Sequence, residues 1–247
     1  MIVKVFSDCH GFLPKITEPF DLLLIAGDIT PCQWGYNYKS VQWDWLINEF
    51  KDWLVNLPFK TKGSKVFVTP GNHDKVFEGI SVAERTELKQ ILGANFELLI
   101  HEEKIFSYEK EDGLIQDIRI FGTPYCKMFG NWPFMFYDSF LEKAFNEIPK
   151  DLDILITHDP PSLNNLGKIS QGKGKGKEAG NDILAKRLLE IKPKYLFSGH
   201  IHSGNHKFEE FNGIMMANVS YVDEFYEPVN QILTFDYEKK LHKCSKK

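Results

Sequence analysis

The sequence predicts an α/β protein, and three observations carry that expectation. Short apolar runs recur along the chain, several of them ending in Asp, Asn, His or Gly. Between them lie segments whose apolar residues follow helical 3-or-4 spacing. Alternating segments flank the turn sequences Glu111-Asp112-Gly113 and Asn212-Gly213. Short runs rich in β-branched or aromatic residues read as buried strands. Strands mixed with helices and hairpins along the whole length argue for one α/β domain over residues 1–247.

In chain order, residues 2–7 form a first strand that runs into Asp8, and residues 22–26 form a second that runs into Gly27-Asp28. Trp43, Leu46, Ile47, Phe50, Trp53, Leu54 and Leu57 then follow helical spacing, with Asp44, Glu49, Lys51 and Asp52 on the other face, as in an amphipathic helix. Residues 65–69 form a third strand that leads into Pro70-Gly71-Asn72-His73. Residues 83–92 and 138–146 read as shorter helices. Residues 104–110 and 114–121 form the first hairpin. Residues 154–157 are a strand ending at His158. Asn181-Asp182 caps a helix over 183–191, whose end is set near Pro193. Residues 195–198 are a strand ending at Gly199-His200. Residues 207–211 and 214–219 flank Asn212-Gly213 as the stronger hairpin, 231–237 is a late strand, and the end beyond Leu241 should fray.

Bulk properties set limits. The chain has 247 residues, 43% hydrophobic and 26% charged, ordinary values for a globular protein with a large core. A net charge of −4 and a pI of about 6.1 argue against a nucleic-acid coat or a basic membrane surface. Cys9, Cys32, Cys126 and Cys244 are scattered without a CxxC pair, which gives neither a disulfide framework nor a thiolate zinc site. The first residues lack a long apolar region and a small-residue cleavage site, and no apolar run approaches the roughly 20 residues of a membrane helix. The expectation is a soluble, cytoplasmic protein with no membrane partner.

The polar clusters carry the chemistry. They are Asp8-Cys9-His10, Gly27-Asp28, Gly71-Asn72-His73-Asp74, His158 and Gly199-His200-Ile201-His202. In an extended chain, residues two apart face the same way, so Asp8 and His10, and likewise His200 and His202, are expected to aim at common points. Ligands in α/β sheets gather at the carboxyl ends of strands, where these clusters lie. Oxygen and imidazole donors without thiolate suit Mn, Fe, Zn or similar ions. Seven such groups exceed what one metal needs and suit two divalent ions roughly 3.5–4 Å apart that share a carboxylate and clamp a phosphoryl centre. Singly, Asp8, Asp28 and Asn72 read as turn formers; their joint placement at strand ends is what turn chemistry does not explain.

The ordered set Asp-x-His, Gly-Asp, Gly-Asn-His-Asp, lone His and Gly-His-x-His resembles the calcineurin-like metallophosphoesterase superfamily. The resemblance runs from residue 8 to residue 202. Thr157-His158-Asp159-Pro160-Pro161, Gly199-His200-Ile201-His202-Ser203-Gly204 and Asn218-Val219-Ser220 further resemble its metallophosphoesterase-domain-containing branch, whose members act on cyclic nucleotides and simple phosphodiesters. Asp159 stands where that branch usually has Gly. The resemblance implies a four-layer α/β/β/α sandwich of two mixed sheets flanked by helices. It implies one metal held by Asp8, His10, Asp28 and His202, and another by Asp28, Asn72, His158 and His200. His73 would contact the phosphate and protonate the leaving oxygen, with Asp74 orienting its imidazole. The reaction it implies is hydrolysis of a phosphodiester or phosphomonoester, a nucleotide or cyclic nucleotide among the candidates, by attack of a metal-bridging hydroxide. Manganese leads the expected cofactors, ahead of Fe, Zn, Ni or Mg.

Other features have plainer readings. Cys9 is expected to be inert, His101 and His242 to lie on the surface, and His206 to be structural. Residues 172–177 alternate Gly and Lys and read as a solvated loop, with phosphate binding or a lid as the alternatives. Phe129, Trp132, Phe134, Phe136, Tyr137 and Phe140 either stack a base or pack a core or oligomer interface, and Trp34, Tyr36 and Tyr38 either line a substrate wall or shape a loop. Alternative functions are a nuclease, a protein phosphatase, or a nucleotide-binding regulator with low activity. A nuclease needs a basic track, which the sequence lacks beyond the Lys-Gly segment. The oligomeric state is left open.

Overall fold

The computed structural model describes residues 1–32, 38–172, 174–204 and 206–239. The chain runs β1 (Ile2–Phe6), β2 (Leu22–Ala26), α1 (Tyr38–Trp45), a π-helical turn (Leu46–Phe50), α2 (Lys51–Val55) and β3 (Lys65–Thr69). A 3-10 turn (Lys75–Phe77) precedes α3 (Val82–Leu92), β4 (Phe96–Leu98), β5 (Glu102–Glu109), β6 (Ile115–Thr123), β7 (Cys126–Lys127) and β8 (Met135–Phe136). The remainder is α4 (Asp138–Asn146), β9 (Ile154–Thr157), α5 (Asp182–Ile191), β10 (Tyr195–Ser198), β11 (Glu209–Phe211), β12 (Ile214–Asn218) and β13 (Leu233–Asp236). Trp34, Tyr36, His242, Cys244 and the end beyond Leu241 lie outside the described residues.

Among the described residues, the strands form a five-stranded sheet in the order β13-β1-β2-β3-β4 and a six-stranded sheet in the order β11-β12-β10-β9-β6-β5. β1 to β4 are parallel and β13 runs against them. In the second sheet β6, β9, β10 and β12 are parallel, and β5 and β11 are antiparallel edges. Both sheets are mixed, as the fold class requires.

Side-chain alternation sorts the layers. Leu22 and Leu24 join Val3, Val5, Ile118, Ile120, Ile154, Ile156 and Phe197 between the sheets. Leu23 and Ile25, one residue out of phase, pack with Leu46, Phe50, Leu54, Leu88 and Leu92 under the first helical layer. Leu155 and Leu196 face the other way, against Leu141, Phe145, Leu184, Leu188 and Ile191 of α4 and α5. Strands buried on both faces are near-continuous apolar runs, which is why β2 reads LLLIA. Each such side chain contributes about 1.5–3 kcal/mol on burial. The result is the expected α/β/β/α order of layers.

Local chemistry accounts for the ends of the elements. Asn212 (φ 52°) and Gly213 (φ 85°) both take positive φ, the requirement of a tight hairpin turn between β11 and β12. Asn181 caps α5, its Oδ1 accepting from the N–H groups of Ile183 and Leu184 at 3.0 Å. Ser81 and Glu84, three residues apart, form a reciprocal capping box at α3. The amphipathic segment from Trp43 onward is not one continuous α-helix. It starts earlier, at Tyr38, and passes through the π-turn. A turn of i→i+5 bonds is wider than 3.6 residues, so it offsets the drift of residues four apart and keeps Leu46, Phe50 and Leu54 on the sheet.

Candidate metal centre

The carboxyl ends of β1, β2, β3, β9 and β10 meet at one edge of the sandwich, and the loops leaving them carry every residue expected at the site. The two sheets are tied there by Ser7, whose N–H donates to Val219 O (2.9 Å) and whose carbonyl accepts from Tyr221 N (2.8 Å). His10 N donates to Asp28 O and Asp8 N to Gly27 O, each at 2.9 Å, so the first two loops travel together.

These loops are not extended. Asp8, His10, Asp28 and His200 take φ of 50°, 45°, 52° and 68°. The expectation that pairs two apart aim together through an extended chain therefore needs correction. Asp8 and His10 do approach one point, but through left-handed turns. His200 and His202 diverge. His202 joins Asp8 and His10, whereas His200 stands against His158, with ring centroids 5.0 Å apart. A side chain at Gly71 would run into Asp28 Oδ1 and the Asp28 backbone, and one at Gly199 into the Asp8 carboxylate and Ser7. These glycines permit backbone to lie against the acids.

Two buried subclusters result. In the first, His10 Nε2 and His202 Nε2 are 3.2 Å apart, His202 Nε2 is 3.5 Å from Asp8 Oδ1, and His10 Nε2 is 3.8 Å from Asp28 Oδ2. In the second, His158 Nε2 is 3.0 Å from Asn72 Oδ1 and 3.3 Å from Asp28 Oδ2. Asp28 touches both. The opposite nitrogens of two rings are held by backbone carbonyls: His158 Nδ1 by Ala26 O (2.9 Å) and His202 Nδ1 by Asp223 O (2.8 Å). A carbonyl accepts only, so it places the proton on Nδ1 and turns the Nε2 lone pair inward, the usual support of a metal-binding imidazole.

The electrostatics suit cations. Burial works against the Asp8 anion, yet the His202 hydrogen bond and the charges on His158 and His202 hold its pKa well below the usual carboxylate range. Burial likewise opposes ionisation of Asp28, and His158 and His73 keep it ionised. His158 is driven against its own burial to about 10 by Asp28, and His202 to about 9 by Asp8. Burial takes His10 down to about 4 and, with the His158 charge, His200 to about 3. Two ionised acids thus sit among two imidazoles whose protons those acids hold, and two whose lone pairs stay free. A donor set of two carboxylates, an amide oxygen and four inward imidazoles fits two divalent ions that displace those protons.

His73 lies at the cavity wall. Its carbonyl accepts from Gln42 Nε2 (2.7 Å) and from the Tyr38 hydroxyl (2.8 Å), so α1 holds its loop. Tyr38 therefore shapes the loop. Asp74 does not meet the expected imidazole. Its carboxylate accepts from Thr30 N (2.9 Å), Thr30 Oγ1 (2.7 Å) and Gly71 N (2.8 Å), tying the β2 and β3 loops together. Burial, followed by the nearby Asp28 charge, lifts it to about 6. The polar atom on His73 Nδ1 is Cys32 Sγ at 3.3 Å, with the Trp132 ring tilted against it, centroids 4.5 Å apart.

Cys32 and Tyr226 were not anticipated. Cys32 Sγ is also 2.9 Å from His10 Nδ1, and the Tyr226 ring lies 4.7 Å from His10 and 5.2 Å from His202. Burial pushes the Cys32 thiol up, well above its ordinary value. Neither residue belongs to a short motif, so only the fold reveals them. Cys9, as expected, points into the core beneath the first helical layer, its thiol on Ile29 O.

A cavity of about 650 Å³ opens over this cluster, walled by Asp28, Asn72, His73, Phe129, Trp132, Asp159, His200 and Tyr226. Ile169 and Ala179 line it from either side of the Gly-Lys segment. Phe129 (67% exposed) and Trp132 face it, whereas Phe134 is buried in the core and Phe136 stacks on Phe140 at 4.0 Å, so the aromatic stretch is divided between the cavity wall and packing. Asp159 is buried, its Oδ2 accepting from Lys127 N and Asn181 Nδ2 at 2.9 Å, and burial raises it to about 6. His101 is not a surface residue. It is half-buried, stacked on Tyr125 at 4.7 Å with Nδ1 3.0 Å from Thr123 Oγ1. His206 is structural, on His202 O at 3.0 Å. Among the described residues, no helix is long and apolar enough to cross a membrane.

Comparison with known proteins agrees with this architecture. The family described as calcineurin-like phosphoesterase matches residues 1–204. Metallophosphoesterase domain-containing protein 1 of Homo sapiens is 27% identical over 245 residues, covering 93% of this chain and 69% of that protein, and its Mus musculus counterpart matches equally. Among solved structures, phosphopantetheinyl hydrolase from Mycobacterium tuberculosis has a TM-score of 0.55 at 13% identity, covering 91% of this chain and 90% of that one. TT1561 of Thermus thermophilus has a TM-score of 0.53 at 12% identity, covering 96% of this chain and 98% of that one. At such identities the two structures speak for the fold alone.

Proposed function

Because the chain belongs to the calcineurin-like phosphoesterase family, whose members are metal-dependent phosphoester hydrolases, we propose that it hydrolyses a small phosphodiester or phosphomonoester at a centre of two divalent cations. One cation would be held by Asp8, His10, Asp28 and His202, the other by Asp28, Asn72, His158 and His200, with Asp28 common to both. Manganese is the first choice for such oxygen and imidazole donors, with Fe, Zn, Ni or Mg as alternatives. When bound, the pair supplies Lewis acidity at the phosphoryl oxygens and an acidified water for in-line displacement. The observation that carries the reading is the pair of imidazoles, His158 and His202, each pinned through Nδ1 to a backbone carbonyl with Nε2 turned to an ionised carboxylate.

The chain's own residues do the rest. Asn72, its Oδ1 on His158, brings β3 to the site, and His73 N donates to Asp28 Oδ1 at 2.7 Å. That bond sets the distance between the shared carboxylate and the ring behind it. His73 bonds through Nδ1 to Cys32, leaving Nε2 to donate a proton to the leaving oxygen. Asp74 supports His73 by bracing the loop beneath it. Phe129, Trp132 and Tyr226 offer flat apolar faces suited to a nucleobase or other ring, so nucleotides and cyclic nucleotides are the substrate class of choice. The cavity has the size of a small-ligand site. Among its described lining residues Lys127 is the one lysine, and it is paired with Asp182 (2.8 Å) and Asp138 (3.5 Å), which does not make a track for a polynucleotide.

The test is a panel of bis-p-nitrophenyl phosphate, cyclic nucleotides, mononucleotides and single-stranded DNA, run on metal-stripped protein reloaded with each ion. We expect turnover of the small esters with Mn²⁺ and its abolition in Asp28→Ala and His200→Ala. Preference for DNA, or near-normal rates in either variant, contradicts the proposal.

A further inference from the structure

Resting on the assignment of His73 to the leaving oxygen, we propose that Cys32 is the positioning residue for both His10 and His73, its sulfur accepting a hydrogen bond from the Nδ1–H of each ring. Its Sγ is 2.9 Å from His10 Nδ1 and 3.3 Å from His73 Nδ1, and those two rings meet edge to face with centroids 5.1 Å apart. A thiol sulfur has two lone pairs and one hydrogen. Two ring N–H donors fill those lone pairs.

The protons of His10 follow from its neighbours. His10 turns Nε2 toward Asp28 Oδ2 (3.8 Å) and His202 Nε2 (3.2 Å), into the proposed ion site, and Nδ1 toward the sulfur. Nε2 is therefore its ligand nitrogen, and the His10 proton belongs on Nδ1, toward the sulfur. The same sulfur then orders His73. With Nδ1–H held by Cys32, Nε2 is the nitrogen presented to the cavity. As an imidazolium, His73 gives its Nε2 proton to the leaving oxygen while the P–O bond breaks and its electron pair passes to that oxygen. The ring is left neutral, its remaining proton on Nδ1 and still held. Asp74, the acid beside His73 in sequence, is occupied by Thr30 and Gly71, and the thiol takes the place it was expected to fill.

The experiment compares wild type, Cys32→Ala, Cys32→Ser and His73→Ala on a phenyl and a p-nitrophenyl phosphoester, with metal affinity titrated alongside. A departing p-nitrophenolate needs little protonation, whereas phenolate needs much. In Cys32→Ala we expect kcat on the phenyl ester to fall at least tenfold at saturating metal, with less than a threefold change on the p-nitrophenyl ester. Metal affinity should weaken by about 10–100-fold through His10, as for other partners that orient a ligand imidazole. Cys32→Ser should restore both, since a hydroxyl accepts the same bonds. In ¹⁵N-histidine spectra of Zn²⁺-loaded protein, His10 should appear as the Nδ1–H tautomer in wild type and Cys32→Ser, and lose that preference in Cys32→Ala. Equal losses on the two esters, no loss, or failure of Ser to restore overturns the role of Cys32. If His73→Ala shows no selective loss on the phenyl ester, the assignment of His73 falls, and the inference with it.

Discussion

At the scale of the residue, Asp8, His10, Asp28 and His200 adopt left-handed backbone, a conformation that costs non-glycine residues about 1–3 kcal/mol where it is held by its surroundings. Such strain concentrates where side chains must be aimed. It also explains what the sequence hid. The identities Asp8, His10, Asp28, Asn72, His73, His158, His200 and His202 were legible as a set, because polar clusters after apolar runs need a reason. Their aim was not, because Asp and His carry no mark of the φ they will take. Proton occupancy gives a prediction here. His158 and His202 are raised to about 10 and 9 in the folded, metal-free protein, so the stability they contribute is fully present below their ordinary 6.5 and is lost as pH rises through 9–10. Metal-free protein should therefore lose thermal stability between pH 7 and 10, while metal-loaded protein, whose ions replace those protons, should not. Thermal unfolding across pH with and without Mn²⁺ checks this; parallel curves would contradict it. By the same logic, metal uptake at pH 7 should release protons, seen as a dependence of the calorimetric heat on the ionisation enthalpy of the buffer.

At the scale of the element, helices act on the site through single side chains. Buried Gln42 of α1 bridges His73 O and Val76 N (2.9 Å). Gln42→Ala should lower kcat with metal stoichiometry intact, because it loosens His73 and not the ligands; loss of bound metal in this variant would contradict that division. α5 begins at Asn181, whose Oδ1 caps the helix and whose Nδ2 donates to Asp159. Asn181→Ala should cost about 1–2 kcal/mol, a fall in Tm of about 2–8 °C at this size. α5 was legible nearly to the residue, since an Asn cap and Pro193 bracket its apolar spacing. The π-turn after α1 was not, because Leu46, Phe50 and Leu54 satisfy helical spacing whether or not one turn is wider. The strands β4, β7 and β8 escaped as well: two or three residues give no period to read.

At the scale of the whole molecule, the carboxyl ends of two sheets face each other across the proposed ions, with Asp8, His10, Asp28 and Asn72 from one sheet and His158, His200 and His202 from the other. Bound metal would thus tie the sheets together as well as serve the chemistry. A ligand at about 100 times its Kd adds about 2.7 kcal/mol to folding stability, so chelation should lower Tm by about 5–10 °C, and Asp28→Ala should be insensitive to chelator. The layer order of the sandwich is carried by alternation such as Leu22 and Leu24 against Leu23 and Ile25, yet LLLIA by itself does not say which residues meet a sheet and which a helix. Convergence of the two strand sets is a property of topology, and for that reason Cys32 and Tyr226 surfaced only in three dimensions. The most direct test of the dinuclear centre is anomalous diffraction from crystals soaked in Mn²⁺. Two peaks roughly 3.5–4 Å apart, on either side of the Asp28 carboxylate, are the predicted result; a single peak, or peaks away from Asp28, would contradict it.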